Sequence, residues 1–270
     1  MTRRGVDYAW SRPYLPTLWA AGYDFVCRYL SYDASKNLTL GEARTLAENG
    51  FDIVANWEAN TEAALDGYTR GVQDASAAWY QARECGIPAG RPIYFSVDFD
   101  AHESQQPAIN QYLLGAGKVL GQERVGIYAG YYVAKRAHEA RVAPWVWQTY
   151  AWSGGQWLPY AHIRQVKNEA KVAGADVDID TSDVSDFGQW RPGGAAPVPA
   201  PVTNGESDMY RIYCTGHTEQ FLVTGDGLRS ITARDAEILD HTELRELPAE
   251  QWPNVAAGLI LPWRPTQPAA

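Results

Sequence analysis

Two carboxylates two positions apart, Asp98 and Asp100, close the stretch PIYFSVDFD that runs from Pro92 to Asp100. Side chains alternate along a strand, so Tyr94, Ser96, Asp98 and Asp100 share one face while Ile93, Phe95, Val97 and Phe99 share the other. An apolar outer face and a polar inner face ending in acids is what a parallel barrel presents at its carboxyl-terminal rim. Other acids have the same setting: Asp7 in the first strand, Glu58 at the end of the third, and Asp178 with Asp180 in the eighth. Arg28, Tyr128, Gln148 and Gln165 fall on the same inner faces and, with Asp178 and Asp180, are read as substrate-binding groups, Arg28 also holding one acid ionised; Asp7, Glu58, Asp98 and Asp100 are read as the catalytic acids. Acids crowded at one rim push one another's pKa values apart, which separates an acid from a base near neutral pH. Clustered carboxylates also suit magnesium or calcium. The inner faces offer no histidine and the chain no phosphate-gripping glycine loop, so neither a metal nor a cofactor is expected.

The elements that must position these residues alternate regularly. Strands are predicted at 5–8, 25–30, 51–58, 92–100 and 124–129, with helices at 15–21, 38–48, 62–84, 106–120 and 133–141. That order predicts a parallel α/β sheet with right-handed crossovers. Three more strands, 145–150, 163–166 and 176–181, are joined by segments too short and too polar or glycine-rich for helices, such as SGGQWLPY and KNEAKVAGA. Eight strands in about 190 residues fall short of the ~250 a regular (β/α)8 barrel takes, so the expected barrel is irregular, with five helix-backed strands and three poorly backed ones.

Three domain-level segments follow: a barrel over 1–190, a Pro/Ala/Gly-rich linker over 191–207, and a small β-rich module over 208–270. Strands are expected there at 210–214 and 220–223, with a third after the Gly225-Asp226-Gly227 turn. The module keeps Tyr210, Tyr213, Phe221, Trp252 and Trp263 but no acid cluster comparable to the barrel's, so it is expected to bind rather than react, the alternative being that these aromatics form its own small core or dock it on the barrel. With a net charge of -9 and a pI near 5.1, the chain is a poor partner for nucleic acid or an anionic membrane. No apolar run nears the ~20 residues of a membrane span. Its 11 Trp and 16 Tyr suit either a packed core or stacking on sugar rings. Cys27, Cys85 and Cys214 show no metal-ligand spacing and imply no disulfide framework. MTRRGVDYAW has no apolar h-region behind its arginines, so no signal peptide is expected and synthesis is placed in the cytosol.

GVDYAW, IYFSVDFD, VWQTY, IRQV, and DVDID before FGQW together resemble the glycoside-hydrolase-like domain of actinobacterial surface proteins and phage lysins, a relative of the family 25 muramidases. The resemblance covers residues 1–190. It implies an irregular barrel and cleavage of a β-1,4 bond in peptidoglycan, as in an endolysin that reaches the wall after release. Asp7 then matches the first-strand acid and Asp98 the first acid of the muramidase Asp-x-Glu motif. Asp100 stands where the muramidases have glutamate, one methylene longer. Either Asp100 protonates a shifted sugar, or Glu58 is the acid, or the site is catalytically weak. A noncatalytic glycan-binding or surface protein on the same barrel is the alternative.

Overall fold

The computed structural model describes residues 2–192, 210–213, 220–224, 227–231 and 243–246. The chain divides into two compact units, Met1–Pro197 and Val198–Ala270.

In the first unit eight strands close a barrel in sequence order. They are β1 (Arg3–Tyr8), β2 (Phe25–Leu30), β3 (Asp52–Trp57), β4 (Ile93–Ser96), β5 (Val125–Ala129), β6 (Trp145–Thr149), β7 (Ile163–Val172) and β8 (Ala175–Ser182). Five helices follow the first five strands: α1 (Leu15–Ala20), α2 (Leu40–Glu48), α3 (Gly67–Glu84), α4 (Gln106–Leu120) and α5 (Tyr131–Glu139). The irregular α/β barrel read from the sequence is therefore the fold.

Two details differ from the expected layout. β8 runs antiparallel to both β7 and β1, whereas β1 to β7 are parallel. A parallel return needs a crossover of a dozen or more residues, while an antiparallel one needs only two. Ala173 and Gly174 supply it, with φ of 52° and 81°, as a tight primed turn requires. Most of KNEAKVAGA is thus the upper arm of a hairpin and not a connection. The second difference is that β4 ends at Ser96, so Asp98 and Asp100 lie in the loop beyond the strand.

Barrel strands covered on both faces are apolar on both. Outward residues such as Val26, Ile53, Phe95, Ile127 and Val146 pack beneath the helices, while Phe25, Cys27, Val54, Tyr94, Tyr128, Trp147 and Ile163 fill the interior. The interior is closed at the amino-terminal end by Phe187, fully buried, with its ring 4.7 Å from that of Phe25 and its carbonyl accepting the Tyr94 hydroxyl at 2.9 Å. Space for these rings comes from missing side chains. A Cβ on Gly5 would sit 2.3 Å from the Phe25 ring, and one on Gly126 would sit 2.6 Å from the Tyr94 ring. Trp190 then pairs with Ile53 through two backbone hydrogen bonds of 2.8 and 2.9 Å, which fastens SDFGQW across the barrel floor.

On the flank, α3 and α4 approach closely enough that a Cβ on Gly71 would fall 1.9 Å from the Tyr112 carbonyl oxygen. That contact carries buried Asp74 against α4, where it accepts from the hydroxyls of Tyr112 (2.8 Å) and Tyr32 (3.1 Å) and from Arg70 (2.8 Å). Tyr32 is thereby held edge-on to Trp57 at the rim, with ring centroids 4.9 Å apart.

The second unit holds a four-stranded sheet of order β11-β10-β9-β12, with β9 (Tyr210–Tyr213), β10 (Gln220–Thr224), β11 (Gly227–Ile231) and β12 (Glu243–Glu246). The first three pair antiparallel, near where they are expected; β12, parallel to β9, has no counterpart in the sequence reading. The expected linker from residue 193 on, Cys214, Trp252 and Trp263 lie outside the described residues. Among those residues, no helix is long and apolar enough to cross a membrane.

Phe187→Ala removes the plug without an obvious way for the floor to collapse, so the barrel should lose about 3–5 kcal/mol in denaturant unfolding. A loss below about 1 kcal/mol would show that the barrel does not depend on it.

Candidate active site

Because β8 is antiparallel to β1, Asp178 stands directly opposite Asp7, and Asp180 lies one inward step deeper, opposite Gly5. Gln165 of β7 joins the first two. Its Nε2 donates to Asp7 Oδ2 at 2.9 Å and to Asp178 Oδ2 at 3.2 Å, while its Oε1 accepts from the hydroxyls of Tyr128 (2.8 Å) and Thr149 (2.7 Å). All four hydrogen bonds a primary amide makes are used. Gln165 thus holds two of the acids, and Tyr128 holds Gln165. Asp7 Oδ1 accepts from the Tyr29 hydroxyl at 2.8 Å, and Asp180 Oδ1 accepts from the Trp147 indole N–H at 2.9 Å. Asp178 Oδ1 takes the Glu169 backbone N–H at 2.8 Å, at a β7 bulge where Glu169 adopts a φ of 56°.

The other wall comes from β3 and β4. Asn56 donates to Ser96 Oγ at 2.8 Å beneath the rim, Glu58 follows β3 and pairs with Lys36 Nζ at 2.5 Å, and Asp98 is half-buried beside them. Asp98 has Glu58 and Asp178 as its charged neighbours of like sign. The structure therefore gathers Asp7, Glu58, Asp98 and Asp178 at one mouth, with Asp180 buried beneath them. Asp100, in the loop beyond β4, is exposed.

Arg28 and Gln148 are corrections. Arg28 points out of the barrel and donates to Glu42 of α2 at 2.7 and 3.2 Å and to the carbonyls of Tyr8 and Lys36. It neither touches Asp7 nor lies between Asp7 and Glu58. Glu42 also takes Arg12 at 3.2 Å, on the wall of an outer groove of about 670 Å³ between the Arg12–Pro16 segment and α2. Gln148 also faces outward, donating to Ser153 Oγ and the Gln156 carbonyl and accepting from the Leu158 N–H, so it braces the loop after β6. The inner positions of these strands belong to Cys27 with Tyr29 and to Trp147 with Thr149. Their parity with Phe25 and Trp145 was the available signal.

Burial pushes the Asp7 carboxyl up to about 7, with Asp178 opposite adding to it, against the donors Gln165 and Tyr29. Asp98 is raised by burial first and then by Glu58 and Asp178, and Asp178 is raised chiefly by burial. The rim thus holds acids that keep protons toward neutral pH, as general acid chemistry needs. Exposed aromatics follow the carboxyl ends of four strands: Trp10 after β1, Tyr32 after β2, Tyr132 after β5, and Tyr150 with Trp152 after β6. Such faces suit stacking on sugar rings. Among the described residues, no group of three or more His, Cys, Asp or Glu side chains is arranged to hold a metal ion.

A mostly parallel eight-stranded barrel with its acids at the carboxyl rim places the molecule among the irregular TIM-like, glycoside-hydrolase-like barrels. Residues 16–187 match the family described as the Rv2525c-like, glycoside hydrolase-like domain, and the chain belongs to that family. Rv2525c of Mycobacterium tuberculosis, whose name carries a provisional assignment as a peptidoglycan hydrolase, is 32% identical over 185 residues, 63% of this chain and 77% of that one. The crystal structure of Rv2525c, described as Tat-secreted and bound to L-tartrate, superposes with a TM-score of 0.66 at 31% identity over 70% of this chain and 98% of that chain. The modular autolysin LytC of Streptococcus pneumoniae shares the fold, with a TM-score of 0.51 at 14% identity over 67% of this chain and 46% of that chain.

Two outcomes test the geometry. Arg28→Met strips a buried partner from Glu42 and should cost about 3–5 kcal/mol, while the folded fraction keeps its site; an unchanged melting temperature would contradict the burial. The second concerns pH. The folded pKa of Asp7 stands above the ordinary 3.8, so the native state retains a proton that the unfolded chain releases. Its contribution is full below about pH 4 and is lost as pH rises through about 7. The unfolding free energy of Asp7→Asn, measured across that window, should fall less steeply than that of wild type. Equal slopes would mean that Asp7 titrates normally.

Proposed function

We propose that the barrel is a peptidoglycan hydrolase that cuts glycosidic bonds of the bacterial wall by carboxylate acid/base catalysis, in the manner of a muramidase-like endolysin. The observation that carries the proposal is the gathering of Asp7, Glu58, Asp98 and Asp178 around one aromatic-rimmed mouth, where burial raises the pKa values of Asp7, Asp98 and Asp178. Family membership and the assignment of Rv2525c support the substrate class. In this reading Asp98 is the general acid. It is half-buried, carries a raised pKa, and has Glu58 beside it as the electrostatic partner that keeps its proton on. Asp7, braced by Tyr29 and Gln165, faces the developing positive charge on the sugar once ionised. The second unit, a small sheet with no acid cluster in its sequence, serves as a wall-binding module.

One observation favours a noncatalytic glycan-binding role. Asp100, at the position where muramidases have glutamate, is one methylene shorter and exposed. The two readings separate on an actinobacterial cell-wall zymogram. Wild type should clear the wall, and Asp98→Asn should lose about a hundredfold or more with its melting temperature nearly unchanged. Clearing by neither, with wall binding retained by both, would establish the binding reading.

A further inference from the structure

The acids at the rim leave Asp180 below them without a role. Asp180 is fully buried, its Oδ1 is occupied by the Trp147 indole N–H, and its Oδ2 has no hydrogen-bond partner. The groups around it are Asp7 on β1, Cys27 on β2, Tyr128 on β5, Trp147 on β6, Gln165 on β7 and Asp178 on its own strand. None is a cation. Arg3 pairs with Asp24 and Asp52, Arg28 and Arg12 with Glu42, and Lys36 with Glu58.

The carboxyls of Asp180 and Asp7 lie within hydrogen-bonding reach of each other. Two bare carboxylates at that separation repel, whereas a single proton between them makes a short, charge-assisted bond. The surrounding donors decide which acid holds the proton. Both Asp7 oxygens already accept, Oδ2 from an amide nitrogen that can only donate and Oδ1 from the Tyr29 hydroxyl. The unfilled position is Asp180 Oδ2.

We propose that Asp180 is a protonated positioning residue that donates from Oδ2 to Asp7, so that Asp7 is the ionised member of the pair and its orientation toward the mouth is fixed from below. Burial and the charge of Asp7 both push the Asp180 pKa well up, in the same sense. The positioning role rests on the reading of Asp7 as part of the site; the protonation itself does not.

Infrared spectroscopy of the full chain at about pH 8, above where Asp7 titrates, should show a carboxylic-acid C=O stretch that disappears in Asp180→Asn. The asparagine amide can still donate to Asp7 and accept from Trp147, so this variant should keep the acidic limb of its wall-clearing pH profile near that of wild type. Asp180→Leu offers no donor, and its limb should move up by about one pH unit, a roughly tenfold loss on that limb. The inference is overturned if wild type shows no acid band, if the band survives in Asp180→Asn, or if the Asn and Leu variants share one profile. An ionised Asp180 that takes its hydrogen bond from the Cys27 thiol would give the first of these results. Should Asp180→Asn fail to fold, carbon-13 NMR of Asp carboxyls in wild type decides the matter. One resonance must stay in the protonated range at about pH 8, and titration of every aspartate below that overturns the proposal. Since neither spectrum requires turnover, a chain that clears no wall refutes the hydrolase reading and leaves this one to be judged separately.

Discussion

A single amide group between two carboxylates is the constraint on which the site depends. Asp7 and Asp178 face each other across an antiparallel pair, where like charges directly opposite destabilise a sheet. Gln165 sets one N–H against each, and its carbonyl is anchored by Tyr128 and Thr149, so the amide cannot turn over without setting an oxygen against two acids. Four strands, β1, β5, β6 and β7, are tied to the acids through this one side chain, together with β8. The interaction works because the interior is dry, where a satisfied polar network is strong and an unsatisfied one is costly.

The network exists only because β8 runs the wrong way for a regular barrel. In a fully parallel barrel each acid at the rim sits at a strand's carboxyl end, and its neighbours come from the ends of the adjacent strands. Reversal of β8 brings the first half of that strand to the mouth, so Asp178 is at the rim and Asp180 beneath it. The bulged hairpin also supplies the Glu169 N–H to Asp178. At the opposite end Phe187 and the rings around it seal the interior, keeping water from reaching the acids from below.

Much of this was legible in the sequence, and what was not has a physical reason. Apart from β7, which runs six residues past its expected end, and α3, which starts five residues late, the strands and helices of the barrel lie within about four residues of their expected bounds, because the periodicity switches from two to 3.6 at glycines and prolines. The inner faces of β1 and β8 were readable because VDY and DVDID alternate apolar with polar. β2 and β6, FVCRYL and WVWQT, are buried on both faces, so polarity loses its meaning as a guide to parity. Arg28 and Gln148 are polar yet face outward, since Glu42 and the loop after β6 offer them partners there. Tyr29, Trp147 and Thr149 face inward and hydrogen-bond Asp7, Asp180 and Gln165. Strand direction was hidden for another reason: it is set by a two-residue turn, Ala173-Gly174, and KNEAKVAGA gives no sign of a hairpin until that turn is placed.

Apart from Lys36 on Glu58, the crowded acids of this site are met by raised pKa values and not by cations. Arg28 and Arg12 satisfy Glu42 outside the barrel, while Lys36 pairs with Glu58 of the cluster and pulls Asp98 down. Desolvation then raises each remaining acid until enough of them are neutral for the group to coexist. A guanidinium in that place would lock the carboxylates ionised at every pH and remove any donor for a leaving group. A proton balances the same charge and remains exchangeable, so the feature that makes the cluster tolerable in the fold also leaves it able to give a proton away. The arrangement is thereby tied to pH. Its charge is lowest where its protons are retained, and each acid that ionises makes the next one harder to ionise.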